Sequence, residues 1–181
     1  MLPGTAVAGA LRKQALRIAR IARSGNGDAE QWVEQLFGTR ADTRKRQARA
    51  SKLRIAESIV EEGTRRRTSR IRIDRFTQGV VPGALFDEEP EFGGRVRLRL
   101  ELRDPAPGEL GLLVLVLKDL LTGELAVGGT SSVGRGRFGG AATLRLEDGR
   151  LVDLDPVKAP DPVVDLAIGE LWSAPVLGGA A

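Results

Sequence analysis

Residues 128–140 hold six glycines (Gly128, Gly129, Gly134, Gly136, Gly139 and Gly140) and two arginines, Arg135 and Arg137, and this stretch follows a helical segment rather than preceding one. That order constrains the fold. In Walker and dinucleotide-binding loops the glycines leave a strand and open a helix whose N-terminus holds phosphate. Here an apolar helix-like run at 108–122 and the short strand Leu125, Ala126, Val127 come first, alternating residues come after, and no Gly-Lys-Ser/Thr is present. The loop is suited instead to letting backbone amides and arginines approach an extended polyanion.

The chain has 181 residues, 41% of them hydrophobic, enough for one packed domain with a tail. It contains no cysteine and no histidine, which removes disulfides, thiolate nucleophiles, imidazole bases and the usual zinc ligands together. There is no long apolar run, and Met1-Leu2-Pro3-Gly4-Thr5 lacks the charged and apolar regions of a signal peptide, so a cytoplasmic protein without a membrane partner is expected. The net charge of +4 is unevenly spread: residues 40–75 carry thirteen Lys/Arg against five Asp/Glu, and the remainder fifteen against nineteen. Such segregation fits an anionic partner such as nucleic acid, and fits equally a solvated arginine-rich face.

Along the chain, Thr5 is the expected N-cap of a helix whose face holds Val7, Leu11, Ala15, Ile18 and Ala22, ended by Ser24-Gly25-Asn26-Gly27-Asp28. A second helix at 29–37 presents Trp32, Val33, Leu36 and Phe37, with Trp32 read as core rather than as a base-stacking platform. Leu53, Ile55, Ser58, Ile59 and Val60 predict a strand. Residues 61–69, centred on Arg65, Arg66 and Arg67, read as an exposed basic interruption before Ile71, Ile73 and Phe76. Pro82, Gly83, Ala84, Leu85 and Phe86 then lead into an acidic turn at 87–90.

Val96, Leu98, Leu100 and Leu102 alternate with charged residues as one strand. Residues 110–121 predict an apolar helix burying Leu112, Leu113, Val116, Leu117 and Leu120 against a sheet. Ala142, Leu144 and Leu146 form a last strand, in a hairpin with Leu151, Val152, Asp153 and Leu154. This gives a domain at 1–154 and a Pro/Gly/Ala-rich extended tail at 155–181, with Leu171 and Trp172 packing locally.

The order helix, strand, strand, helix, strand is that of an α+β, ferredoxin-like or RNA-recognition-motif-like domain lacking its first strand. That strand is expected just before Met1, either absent from the sheet, supplied by a partner chain, or lost to a late start. A standard RNA-recognition motif stacks bases on two or three aromatics. This chain has no tyrosine and only Phe138 near the corresponding strand.

Four ordered segments are similar to the RAMP superfamily of CRISPR effector proteins, in particular the backbone subunits of type III complexes. They are the opening 2–12; Leu36-Phe37-Gly38; Ile73-Asp74-Arg75-Phe76-Thr77-Gln78-Gly79 with Gly83-Ala84-Leu85-Phe86-Asp87; and the glycine loop. Together they cover residues 1 to about 150. The resemblance implies a guide CRISPR RNA held by the opening helix and the loop, through Thr5, Arg12, Gly128, Gly129, Ser131, Ser132, Gly134, Arg135, Gly136 and Arg137. It also implies an inserted thumb hairpin at 58–82 that wedges into the guide-target duplex, with Arg65, Arg66, Arg67, Arg70 and Arg75 against phosphates. Complementary target RNA and other RAMP and CRISPR effector subunits are the implied partners, and guide pairing reads the sequence.

The loop that carries the family's cleavage aspartate would precede residue 1, so cleavage is not carried over and no cofactor is expected. Asp74 and Asp87 are read as structural. The alternative readings are a metal-assisted endoribonuclease using Asp74 and a divalent ion, and a ferredoxin-like interaction domain that binds no nucleic acid.

Overall fold

The computed structural model describes residues 1–22, 26–39 and 48–173. Ser24 and Gly25 of the expected helix stop lie outside the described residues, as do residues 40–47 of the basic window. The chain divides into two units: Met1–Leu2 with Glu57–Leu98, and Pro3–Ala56 with Arg99–Ala181.

The second unit is a helical body. Its first helix, α1 (Gly4–Ala22), buries Val7, Leu11, Ala15 and Ala19, a strict four-residue spacing down one face. The helix starts at Gly4, so Thr5 lies inside it rather than at the expected N-cap position. The Pro3 carbonyl accepts from the N–H groups of Ala6 and Val7, and Gly4 lies so close to the Ile55 carbonyl that a Cβ would collide with it. In α2 (Asn26–Phe37), Trp32, Val33 and Leu36 are buried, and Trp32 at 1% exposure is a core residue. Asn26, Gly27 and Asp28 belong to this helix rather than to the preceding turn.

β1 (Leu53–Ile55) stops short of Val60. β2 (Val60–Glu61), β3 (Thr64–Arg65), β4 (Thr68–Ile73), β5 (Val80–Glu88), β6 (Glu91–Phe92) and β7 (Arg95–Val96) follow it in the first unit, before the chain returns to the body at β8 (Leu100–Leu102). β1 and β8 pair antiparallel with Leu53 opposite Leu102 and Ile55 opposite Leu100. The alternation at 96–102 is therefore shared by two short strands instead of one.

α3 (Glu109–Leu121) is the body's central helix. It buries Leu112, Leu113, Val116 and Leu120, each Leu worth about 1.5–3 kcal/mol against exposure. The expected sheet partner is replaced by α1, by α4 (Pro162–Ser173), and by the hairpin of β9 (Ala142–Arg145) with β10 (Leu151–Leu154). Val114, Val152, Leu154 and Val164 form one cluster there, extended by Leu110, Leu117 and Leu144. Two glycines permit the α3–α4 approach. A Cβ on Gly111 would collide with the Ala167 carbonyl, and one on Gly108 would lie 2.9 Å from the Leu171 Cα. Residues 162–173, read as extended tail, are thus a helix, capped by the Asp161 carboxylate on the Val163 N–H at 2.9 Å, with Pro162 at its first position.

Glu109 is fully buried at the start of α3. Its Oε2 accepts from Lys52 Nζ at 2.8 Å and from the Ala106 N–H at 2.7 Å. No described helix is long and apolar enough to cross a membrane.

The first unit is a long antiparallel ribbon. Val60 pairs with Val96, Thr64 with Phe92, Thr68 with Glu88 and Ile71 with Leu85, so each pair of residue numbers has the same sum and the register does not slip. Glu62, Gly93 and Gly94 adopt positive φ, which interrupts the strand geometry without moving the register. Beyond Ile71 the register shifts to Ile73 opposite Val80. The extra residues include Pro82, which has no N–H to give, and Gly83 at φ 72°, a β-bulge. Leu2 adds an antiparallel bridge to Ser58 at the ribbon's start.

The expected basic interruption at 61–69 is exposed, but it keeps the ribbon's register: Thr64–Arg65 and Thr68–Ser69 are strand, with Glu62, Gly63, Arg66 and Arg67 between the strands. Asp87 and Glu88 of the expected acidic turn lie in β5, which leaves Glu89 and Pro90 between β5 and β6.

Candidate nucleic-acid interface

Opposed residues of an antiparallel ribbon share a face, and neighbours along a strand alternate. Applied to the register above, this separates the arginines. Arg66, Arg70 and Arg72 lie on one face with Phe86 and Phe92, while Arg65 and Arg67 lie on the other with Ser69, Asp87, Ile71, Leu85, Ile73 and Val80. The side-chain contacts agree. Arg66 stacks over the Phe92 ring at 5.9 Å, and Arg70 pairs with Glu88 across its own face. On the opposite face Arg67 binds the Asp87 carboxylate at 2.5 Å, and Ser69 donates to the same group at 2.6 Å.

These hydrogen bonds, Ser69 first and Arg67 second, hold the Asp87 carboxyl below the usual aspartate range. Arg65, Arg66 and Arg67 cannot act as one patch. Arg66 and Arg72 on one face, and Arg65 on the other, have no carboxylate partner among the described residues, and only the first face sets exposed aromatic rings beside its cations. Electrostatic contact to phosphate and stacking on bases both need that arrangement.

Asp74 sits where the ribbon turns. Its Oδ1 accepts from the N–H groups of Thr77 at 2.8 Å and Phe76 at 2.9 Å, and from the Thr77 hydroxyl at 3.1 Å. Those bonds, the backbone ones foremost, lower its pKa, and Gln78 closes the turn at φ 54°. The carboxylate holds the tip. Phe76 projects from that tip at 88% exposure, with Arg75 6.0 Å from its ring. Among the described residues no group of three or more carboxylates converges on one point.

The body carries the other sequence-predicted residues. Thr5 is exposed and Arg12 half-buried on α1, seven residues apart and so on one side of the helix, with Gly9 between them. Gly9 has ordinary helical φ, and a Cβ there would meet nothing within 4 Å.

In the glycine loop, Ser131–Val133 form one 3₁₀ turn between Thr130 at φ 57° and Gly134 at φ 81°. The N–H groups of Gly128, Gly129, Ser131 and Ser132 make no hydrogen bond within the described residues and face solvent. Gly136 and Arg137 close the loop instead. A Cβ on Gly136 would collide with the Val127 carbonyl, the Gly136 carbonyl accepts from Val127 N–H at 2.8 Å, and the Arg137 guanidinium donates to the Gly123 carbonyl. Arg135 is half-buried.

Sequence reasoning missed Arg72, Phe86, Phe92 and Gly9. The first three could be found only by knowing which strand residues oppose which. Gly9 could have been noticed as a glycine inside an otherwise regular helical pattern.

No curated protein matches the chain. The family model of the RAMP superfamily matches residues 1–139, which contain the opening helix, the whole ribbon and the glycine loop. With an α+β body and a ribbon inserted between β1 and β8, the chain belongs to the RAMP superfamily, CRISPR-associated proteins that bind CRISPR RNA and act in multi-subunit complexes.

Proposed function

We propose that this protein is a guide-RNA-binding backbone subunit of a type III-like CRISPR ribonucleoprotein, working in the cytoplasm and contributing to recognition of antiviral target RNA. The observation that carries the reading is the division of the ribbon into a face with Arg66, Arg70 and Arg72 beside Phe86 and Phe92, and a face whose Arg67 is held by Asp87. A ribbon of this kind can lie along a guide-target duplex with one side only. Contacts to phosphate and to base faces need no sequence readout from the protein, which leaves recognition to guide pairing.

The stripe Thr5, Gly9, Arg12 and the unbonded amides of the glycine loop supply a second kind of contact, suited to the guide backbone. Gly9 supports this. Alanine there would favour the helix by about 1 kcal/mol and would touch nothing inside the protein. A glycine on that surface leaves room for an RNA backbone to approach. Gly9→Ala is expected to raise the melting temperature while weakening RNA binding.

Asp74 serves the tip turn in this reading, and Asp74→Asn is expected to loosen the tip without abolishing binding at the ribbon's arginine face. The testing experiment is to express the protein with its neighbouring genes and wash the purified assembly in high salt. A discrete RNA, protected at regular intervals, is the expected result. Heterogeneous RNA, or none, would refute the assignment.

A further inference from the structure

α4 has two faces. Val164, Ala167 and Leu171 are buried on the side that meets α3, while Asp165, Leu166, Gly169, Trp172 and Ser173 are exposed along the opposite side. Leu166 is 67% and Trp172 53% exposed, although a helix with one face in the core ordinarily gives the other to polar residues. Gly169 lies midway between them. It is helical, a Cβ on it would meet nothing within 4 Å, and alanine would favour the helix, so nothing inside the chain calls for glycine there.

The exposed positions are symmetric about Gly169. Three residues away on either side stand Leu166 and Trp172, and four residues away stand Asp165 and Ser173. Two antiparallel copies of α4 that cross at Gly169 therefore set each Leu166 on the partner's Trp172 and each Asp165 beside the partner's Ser173. The two glycines let the backbones approach closely where the helices cross.

The polar groups fit the same arrangement. Asp165 is the one ionised side chain on this face, and its carboxylate makes no hydrogen bond or ion pair among the described residues. The Ser173 hydroxyl, which donates to the Gly169 carbonyl at 3.2 Å, can turn to the partner's Asp165. The two Asp165 carboxylates stand on opposite sides of the crossing, roughly 12 Å apart along the axis by helix rise, which exceeds the Debye length in physiological salt. The other acid of α4, Glu170, turns to Gly108 and accepts from its N–H at 3.3 Å.

We propose that this face of α4 docks on the same face of a second copy, in an antiparallel two-fold contact centred on Gly169. The contact is isologous, so it closes at a dimer, and it uses neither the ribbon nor the glycine loop. Four large apolar side chains on two short helices cover less surface than a standard interface, so the dimer is weak and forms reversibly. α4 lies beyond the residues that match the family model.

The test uses the full chain after nuclease treatment, which makes it independent of the guide-RNA reading. The chain has no cysteine, so Gly169→Cys introduces a single thiol on the two-fold axis, where close crossing brings the two Cα atoms within disulfide reach. Air oxidation should convert this variant to a disulfide-linked dimer, whereas Val157→Cys, 91% exposed but off the contact, should stay monomeric under the same conditions. In sedimentation equilibrium Trp172→Ser should weaken the wild-type association by about thirty-fold, the loss typical of an interface anchor, and far-UV circular dichroism verifies that it folds. Gly169→Ala should raise the melting temperature and weaken association. Equal cross-linking of the two cysteine variants, no cross-linking of Gly169→Cys, or a Trp172→Ser protein that associates like the wild type overturns the proposal.

Discussion

Leu112 and Leu120 of α3 and Leu85 of the ribbon belong to equally regular apolar patterns, yet the first two are buried and the third is mostly exposed. The body surrounds α3 with α1, α4 and a hairpin, whereas the ribbon's strands pair only with each other. Pattern therefore decides which residues share a face, and a second layer decides whether that face is core. Where the second layer is missing, the surface is available to a partner. In this chain that surface carries arginines and aromatics on one side and aliphatics on the other.

The comparison is broken most severely in the body. Trp32→Ala should cost about 4 kcal/mol, read by denaturant unfolding, whereas Phe76→Ala at the ribbon tip should shift stability by no more than about 0.5 kcal/mol. Lys52→Met leaves the buried Glu109 carboxylate without its cation and should cost about 3 kcal/mol. Adding Glu109→Leu to that variant should recover much of the loss, because no buried charge then remains. Gly83→Ala, at a positive φ in the bulge, should cost about 1 kcal/mol and act on the ribbon alone, as measured by amide exchange of β4 and β5.

The smallest effect is on pH. Asp74 and Asp87 have lowered folded-state pKa values, so their bonds stabilise the ribbon fully above the ordinary aspartate range near about pH 4. The contribution disappears as pH falls through the lowered values. Amide shifts of Phe76 and Thr77 should titrate below that range, and Asp74→Asn should abolish the titration.

Much of the body was legible in the sequence. Val7, Leu11 and Ala15 marked the buried face of α1, which continues through Ala19 where the pattern suggested Ile18 and Ala22, and the turn Glu147-Asp148-Gly149-Arg150 marked the β9–β10 hairpin. The segment that became α4 was missed because its many prolines, alanines and glycines suggested a tail, although Asp161-Pro162 is a helix start. The ribbon was found as a basic protrusion, but its order was not. Thr64, Arg65 and Thr68 are held in strand by Phe92, Glu91 and Glu88, far along the chain, and local sequence does not announce such pairing.

The candidate site was legible as a set of residues and illegible as a surface. Arg65, Arg66, Arg67 and Arg70 were correctly placed on the inserted hairpin, but only the register reveals that they point in two directions. In the glycine loop the sequence could not separate the amides that face solvent from Gly136 and Arg137, which close the loop through contacts to Val127 and Gly123.

The central claim is that one face of the ribbon meets RNA. Its most direct test is the salt dependence of single-stranded RNA binding, measured by fluorescence anisotropy for Arg66→Ala/Arg72→Ala and for Arg65→Ala/Arg67→Ala. Both double variants remove the same charge. The first should bind more weakly and lose roughly 1.4 from the slope of log affinity against log salt, about 0.7 per phosphate contact, while the second keeps a slope near the wild type. Equal losses in the two proteins would show that charge alone, not the face that carries it, governs binding, and would contradict the account.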